Sequence, residues 1–137
     1  MIKSDRFIHR VGLKFDEVTP GHSRLSLETQ DHHKNGTGVV HGGAIFTLAD
    51  TAMGAALVPM LEQGQICATV EIKIGYFKPV FGGELVCEAV VVNKGKNLAS
   101  LEATIRHGDV LVSKASGTFS IFKRKPDSTL ATPAAST

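Results

Sequence analysis

The sequence predicts an α+β domain, in which one long helix is segregated to one face of an antiparallel sheet of about six strands. Three observations carry this reading. Over residues 44–61 nearly every side chain is apolar or small, the pattern of a core helix. Two alternating segments precede that run and four follow it. Short, turn-rich loops join the segments. Such loops close hairpins, whereas successive parallel strands need a long crossover between them.

Taken in order, residues 1–10 read as a short helix or an arm pinned by Phe7 and Ile8. Residues 11–18 read as a strand, with Val11, Leu13 and Phe15 on one face and Lys14 and Asp16 on the other. Thr19-Pro20-Gly21 is a turn signal. Residues 23–29 alternate Leu25 and Leu27 against Arg24, Ser26 and Glu28, which completes a hairpin. Residues 30–38 are polar and are placed as a loop beside the helix start. The helix covers 44–57 and extends toward Leu61 with a bend near Pro59. Its small residues, Ala49, Ala52, Gly54, Ala55 and Ala56 among them, suit close packing beneath a sheet. Residues 66–76 alternate around Val70, Ile72 and Ile74. Residues 84–92 are apolar on both faces in places, as in a central strand. Residues 98–106 alternate through Leu101, Ala103 and Ile105, and residues 110–122 form the last strand, with a bulge expected near Gly117. Residues 1–125 thus make one domain. Residues 126–137, dominated by Pro, Ala, Ser and Thr, are expected to be a disordered tail.

Composition excludes several function classes. At 137 residues, a single domain buries roughly two thirds of its unfolded surface and needs no covalent staples. A formal charge of +2, without a basic cluster interleaved with aromatics, argues against nucleic acid as a partner. The run Lys123-Arg124-Lys125 reads as a solvated end. Cys67 and Cys87 lie in apolar strand-like runs and read as buried thiols rather than a bridge. With a polar start that lacks an apolar leader core, this suggests a cytoplasmic protein. No membrane span is expected: Asp50 at the centre of 42–61 would cost about 2.5–3.5 kcal/mol on an insertion scale.

The chemistry centres on the helix. Asp50 is the one acid in a run that is apolar nearly all round, so it lies in the core or at an interface. An unpaired buried carboxylate is costly, so the fold must gain something from it; the plain alternatives to a functional acid are an N-cap starting a second helix and a buried structural ion pair. Gly42 and Gly43 fall where the helix begins. There the first N–H groups lack intrahelical acceptors and the dipole favours negative charge. Without side chains they let another molecule approach the backbone. A donor-rich helix start plus a buried acid is an acyl-transfer arrangement, an oxyanion hole with a base or nucleophile. Gly42 and Asp50 stand about 12 Å apart along one helix at 1.5 Å per residue, too far for one carbonyl to touch both. A second copy related by a two-fold axis would bring its Asp50 to the first copy's Gly42, which predicts a homodimer with two shared sites. His41 is a base by residue type, or it orients the helix start by hydrogen bonding. His32, His33 and His41 do not predict a metal centre, because no acid or cysteine completes them at ligand spacing. No phosphate-binding loop, dinucleotide fingerprint or nucleophilic-serine elbow is present, and no cofactor is expected.

The pattern His33-x-Asn35-x-x-Gly38-x-x-His41-Gly42-Gly43, with an acid at Asp50, resembles the hotdog-fold acyl-CoA thioesterases, most closely the branch of the phenylacetate-pathway thioesterase. The resemblance spans roughly residues 7–122. It includes the segment from Thr69 to Pro79 and the loop Gly95-Lys96-Asn97. It implies a long helix wrapped by a curved sheet, an acyl-CoA substrate, and dimers that pair into tetramers. It implies that the Gly42 N–H polarises the thioester carbonyl, aided by Gly43 at the helix start, while Asp50 attacks that carbonyl or activates a water. The Asn35 amide would hydrogen-bond the carbonyl or position the water. Thr69 matches a hydroxyl position that holds the water; the plain alternative is an outward strand threonine. Some relatives carry a hydroxyl one turn after the acid, where this chain has Gly54. His41 would be mainly structural. Lys96 in the Gly95–Asn97 loop, and Lys78, are candidates to hold coenzyme A phosphates. Two other readings remain: a hydroxyacyl thioester dehydratase using His41 with Asp50, and a non-catalytic acyl-CoA-binding module.

Overall fold

The structure, a computed structural model, describes residues 5–125. The tail expected over 126–137 and the first four residues lie outside the described residues. Helix α1 (Arg6–Val11) forms because both its ends are capped: the Asp5 carboxylate accepts the Ile8 N–H, and Gly12 takes the left-handed conformation at φ 93°. This corrects the strand expected from Val11. The Asp5 and Gly12 caps override a three-residue alternation, and strand β1 (Lys14–Thr19) starts later. Pro20-Gly21, with Gly21 at φ 86°, turns the chain into β2 (His22–Glu28).

Helix α2 (Gly42–Leu57) begins at the glycine pair and passes into a 3₁₀ turn, Val58–Met60, at Pro59. Strands β3 (Gln65–Tyr76), β4 (Glu84–Lys94), β5 (Leu98–His107) and β6 (Val110–Lys123) complete a six-stranded antiparallel sheet of order β1-β2-β4-β5-β6-β3. This is the expected α+β hotdog architecture, a curved sheet around one long helix. β4 is interior as expected, but its faces differ. Leu85, Cys87 and Ala89 are buried under α2, while Val90 and Val92 face outward. The apolar run therefore marks a half-exposed strand.

Ala49, Ala52, Ala55 and Ala56 are buried, and their small side chains bring the helix axis close to the sheet. Leu25, Leu27, Leu48, Met53, Leu57, Leu85, Leu101, Ile105 and Phe119 fill the space between. The buried Ser23 hydroxyl donates to the Ala52 carbonyl at 2.6 Å and ties β2 to the helix. By length and composition α2 and its 3₁₀ extension could cross a membrane, but half of that stretch is buried inside the fold, as in a core helix.

The bulge expected on β6 near Gly117 lies instead on the facing strand. The register slips between Thr69 and Glu71 of β3, opposite Phe119 and Thr118, and turns Val70 outward. Val70 therefore leaves the alternating inward set that contains Ile72 and Ile74. Gly117 serves the packing instead. A Cβ there would meet Ile72 Cγ1 and the Met53 sulfur at 3.0 Å, and the Glu71 carbonyl at 3.3 Å. Gly117→Val is expected to lower stability by about 1–3 kcal/mol through overpacking. A urea midpoint equal to wild type would remove that role for Gly117.

Candidate active site

Asp50 sits mid-helix, half-buried, and faces the edge strand β3. The Thr69 hydroxyl donates to Asp50 Oδ1 at 2.7 Å. Thr69 is the last residue before the Val70 bulge, a local distortion of the kind that re-aims a side chain. Burial raises the Asp50 pKa above the ordinary carboxylate value, and the Thr69 hydrogen bond opposes part of that rise. Cys67, two residues earlier on the same strand, is a buried thiol pushed up to about 11 by burial and by the Asp50 charge. At neutral pH it stays protonated and is no competing nucleophile. Cys87 is likewise buried and raised, so both cysteines are thiols as expected.

The start of α2 is built by its neighbours. His41 is the N-cap, and its Nδ1 accepts the Gly43 N–H at 2.7 Å. The ring proton therefore sits on Nε2, and the Nδ1 lone pair is committed to the helix. This arrangement gives His41 a donor to offer and no basic nitrogen, which weakens the dehydratase reading. A Cβ on Gly43 would lie 2.9 Å from His41 Nδ1, so the cap requires glycine there. At Gly42 the Tyr76 ring fills the side-chain space, with Cζ and the hydroxyl oxygen 3.2 Å from a would-be Cβ. The Tyr76 hydroxyl donates to the Gly42 carbonyl at 2.8 Å. The room left by the two missing side chains is thus used within the chain. What faces outward is the Gly42 N–H, for which no acceptor is present among the described residues.

Asn35 closes the preceding loop. Its Oδ1 accepts from the Thr37 N–H at 2.9 Å and hydroxyl at 2.7 Å, and from the Val39 N–H at 3.3 Å. These donors orient the amide, so its NH₂ is the end available to another molecule. His33 is buried with both ring nitrogens engaged, Nδ1 accepting from the Gln30 N–H and Nε2 donating to the Val11 carbonyl. Its own carbonyl accepts the His41 N–H at 2.8 Å. His33 therefore holds α1, the loop and the helix start together. Among the described residues, no three His, Cys, Asp or Glu side chains gather as a metal site.

The expected site residues fall into two groups along β3. Asp50 and Thr69 lie by the strand's middle, on its Gln65 side. The Gly95–Asn97 loop lies beyond them, since Thr69 and Ala99 both pair with Phe119 and the Asn97 carbonyl accepts from the Ile121 N–H. Asn35, His41, Gly42 and Gly43 gather at the strand's Tyr76 end, and exposed Lys78 follows just beyond it. Lys96 and Asn97 are exposed, and the Gly95 N–H closes the turn to the Leu98 carbonyl at 2.7 Å. Thr69 and Tyr76 stand seven positions apart on the strand, about 23 Å at the usual rise. His33 and Tyr76 stand in the segments that carry the resemblance, but nothing in the sequence gives either a role in building the site. The nearest signal for Tyr76 was an aromatic at a strand end beside a glycine pair distant in sequence.

Known proteins resemble this chain in sequence and in fold. The family model of the Thioesterase superfamily matches residues 37–114, which include the helix start, Asp50 and Thr69. The human protein named acyl-coenzyme A thioesterase 13 is 31% identical over 72% of this chain and 71% of its own length. The solved structure of conserved protein PA5202 from Pseudomonas aeruginosa superposes with a TM-score of 0.83 and 36% identity, covering 86% of this chain and 94% of that one. A mutant of the phenylacetic acid degradation protein PaaI from Thermus thermophilus has a TM-score of 0.79 and 26% identity, covering 85% and 98%.

Proposed function

The chain belongs to the Thioesterase superfamily and is a thioester hydrolase, and from that premise we propose that it cleaves an aryl- or medium-chain acyl-CoA to the free acid and coenzyme A at a site shared by two copies of the chain. The observation that supports the shared site is the separation of the expected residues along β3, Asp50 near its middle and Gly42 at its Tyr76 end. β3 is an edge strand of 12 residues, and a long unpaired edge is a template for pairing with another chain. Antiparallel pairing of β3 with its own copy, about a two-fold axis midway between Thr69 and Tyr76, sets each Thr69 opposite the other copy's Tyr76. Asp50 of one copy then approaches Gly42, His41 and Asn35 of the other. The same operation carries the Gly95–Asn97 loop of one copy toward Lys78 of the other, where both can meet coenzyme A phosphates.

In this site the Gly42 N–H and the Asn35 NH₂ donate to the thioester oxygen, and the helix dipole adds to the field on the developing oxyanion. Thr69 holds one oxygen of Asp50, which leaves the other to act. As a base it takes a proton from water while the water oxygen bonds to the carbonyl carbon; the C–S bond then breaks and the proton returns to the leaving thiolate. As a nucleophile it bonds to the carbon itself, expels the thiolate, and the anhydride formed is hydrolysed. Both routes need Asp50 ionised. The chain is read as acting in the cytoplasm, in line with its buried reduced thiols.

Thiol release from a panel of aryl- and aliphatic acyl-CoAs tests the activity and ranks the acyl groups. Mixing Asp50→Asn chains with Gly42→Pro chains tests the sharing. Random re-pairing makes half the dimers mixed, each with one intact site, so activity should return to about a quarter of wild type. No recovery from re-paired, folded chains would place each site within one chain.

A further inference from the structure

Beside the start of α2 lies a pocket of about 290 Å³, walled by α1, the loop after β2 and the first turn of the helix. Its apolar lining comes from Phe7, Val11 and Ala44, and its polar lining includes Arg10, His32, Lys34 and His41. Among the described residues, no acidic side chain lines it. His33 also touches it, but both its ring nitrogens are committed to the backbone. Arg10 makes no ion pair among the described residues. Lys34 meets Asp31 at 3.6 Å, but that carboxylate is fully exposed, and an ion pair so solvated holds its partner weakly. His41 presents Nε2–H, since its Nδ1 caps the helix. Two fixed cations and an imidazole donor thus meet an exposed phenyl ring in a volume near the lower limit for small-molecule sites. That is room for part of a thioester, not for all of one. Gly43 lines the same pocket, one residue from the N–H assigned to the carbonyl.

We propose that this pocket binds an anionic portion of the thioester substrate, with Arg10 and Lys34 on the charge and Phe7 against the adjoining carbon skeleton. The inference rests on the thioesterase reading above and adds to it a demand on the substrate. The anion has two chemical sources, a carboxylate at the far end of the acyl group or a phosphate of coenzyme A. Arg suits both, because its planar fork matches either oxyanion in a bidentate pair.

The test uses four thioesters: a neutral and an ω-carboxylated acyl group, each on coenzyme A and each on phosphate-free N-acetylcysteamine. kcat/KM is measured for wild type and for Arg10→Gln/Lys34→Gln. Loss of a charge-assisted contact should lower it by about tenfold or more for the substrates that carry the bound anion. A loss confined to the two coenzyme A esters assigns the pocket to a phosphate. A loss confined to the two carboxylated acyl groups assigns it to the acyl end. Rates unchanged on all four, or lowered equally on all four, overturn the proposal. A wild type that hydrolyses none of them overturns the thioesterase reading instead. If the double variant melts early, Arg10→Gln and Lys34→Gln are measured singly: each should lower kcat/KM for the anion-bearing pair alone, and an equal response on all four overturns the proposal.

Discussion

Asp50→Asn is expected to lower kcat by about 10² or more, the usual range for a lost general base, while the fold becomes no less stable. The two effects share one cause. Burial raises the carboxyl's pKa in the folded chain, so the native state holds this proton more tightly than the unfolded state does. As pH rises from the ordinary aspartate value through the raised one, the unfolded state releases its proton first, and stability falls across that window. Above that window the protein carries the penalty of a half-buried charge. Asparagine carries none, and its Oδ1 still accepts from the Thr69 hydroxyl. Thermal melts of the two proteins should therefore coincide at low pH, with Asp50→Asn melting at the same temperature or higher at pH 7. Activity follows the opposite sign, because the reacting form is the ionised one. The acid limb of kcat/KM should lie above the ordinary carboxylate range. Thr69→Val should move it further up by removing the hydrogen bond that favours the charge. An Asp50→Asn protein that still hydrolyses thioesters would shift the chemistry to another group. An acid limb unmoved in Thr69→Val would deny Thr69 its hold on the carboxylate.

Much of this arrangement was legible before any coordinates, and the parts that were not share a physical reason. Helix α2 announced itself because an apolar run of that length, interrupted by one acid, has few other solutions, and the acid marked the site. The hairpins followed from alternation and turn residues. What sequence could not give was contact between positions distant along the chain. Thr69 reaches Asp50 because a bulge at Val70 resets the side-chain alternation of β3, and no residue type at that position forces a bulge. The alternation alone put Val70 inward. Tyr76 reaches Gly42 across 34 positions, so the glycine looked like open space for a ligand when a ring from the same chain already fills it. Helix α1 was a different failure. Its signals, Asp5 and Gly12 at its two ends, stood in the sequence, but the short alternation from Val11 outweighed them. The proposed dimer draws on a feature of the sequence and one of the fold. Sequence supplied only the separation of about 12 Å between Gly42 and Asp50 on one helix. The sheet adds that Asp50 meets the edge strand near its middle and Gly42 meets it at the Tyr76 end, seven positions on.

Gly42→Pro is expected to lower kcat by about 10²–10³, the range for loss of one oxyanion-hole donor, without breaking the helix. Proline is welcome at this position. It is the first residue of α2, where the N–H has no intrahelical acceptor and a φ near −65° is already helical. The preceding residue accepts it too: His41 has φ −61° and ψ 135°, the extended conformation that a following proline requires. Proline differs from glycine here in two ways, the lost donor and the added ring carbons, and Gly42→Ala separates them. Alanine brings the same Cβ, 3.2 Å from the Tyr76 ring, and keeps the N–H. Any loss in Gly42→Ala measures how far Tyr76 is pushed from its hydrogen bond to the Gly42 carbonyl. The further loss from Ala to Pro measures the donor itself. If the N–H polarises the thioester carbonyl, that second step should fall on kcat with KM little changed, because the oxyanion needs the donor far more than the ground-state thioester does. A Gly42→Pro protein as active as Gly42→Ala would remove the oxyanion hole from the start of α2. A loss borne by KM alone would make Gly42 a substrate-binding position and leave the transition state to Asn35 and Asp50.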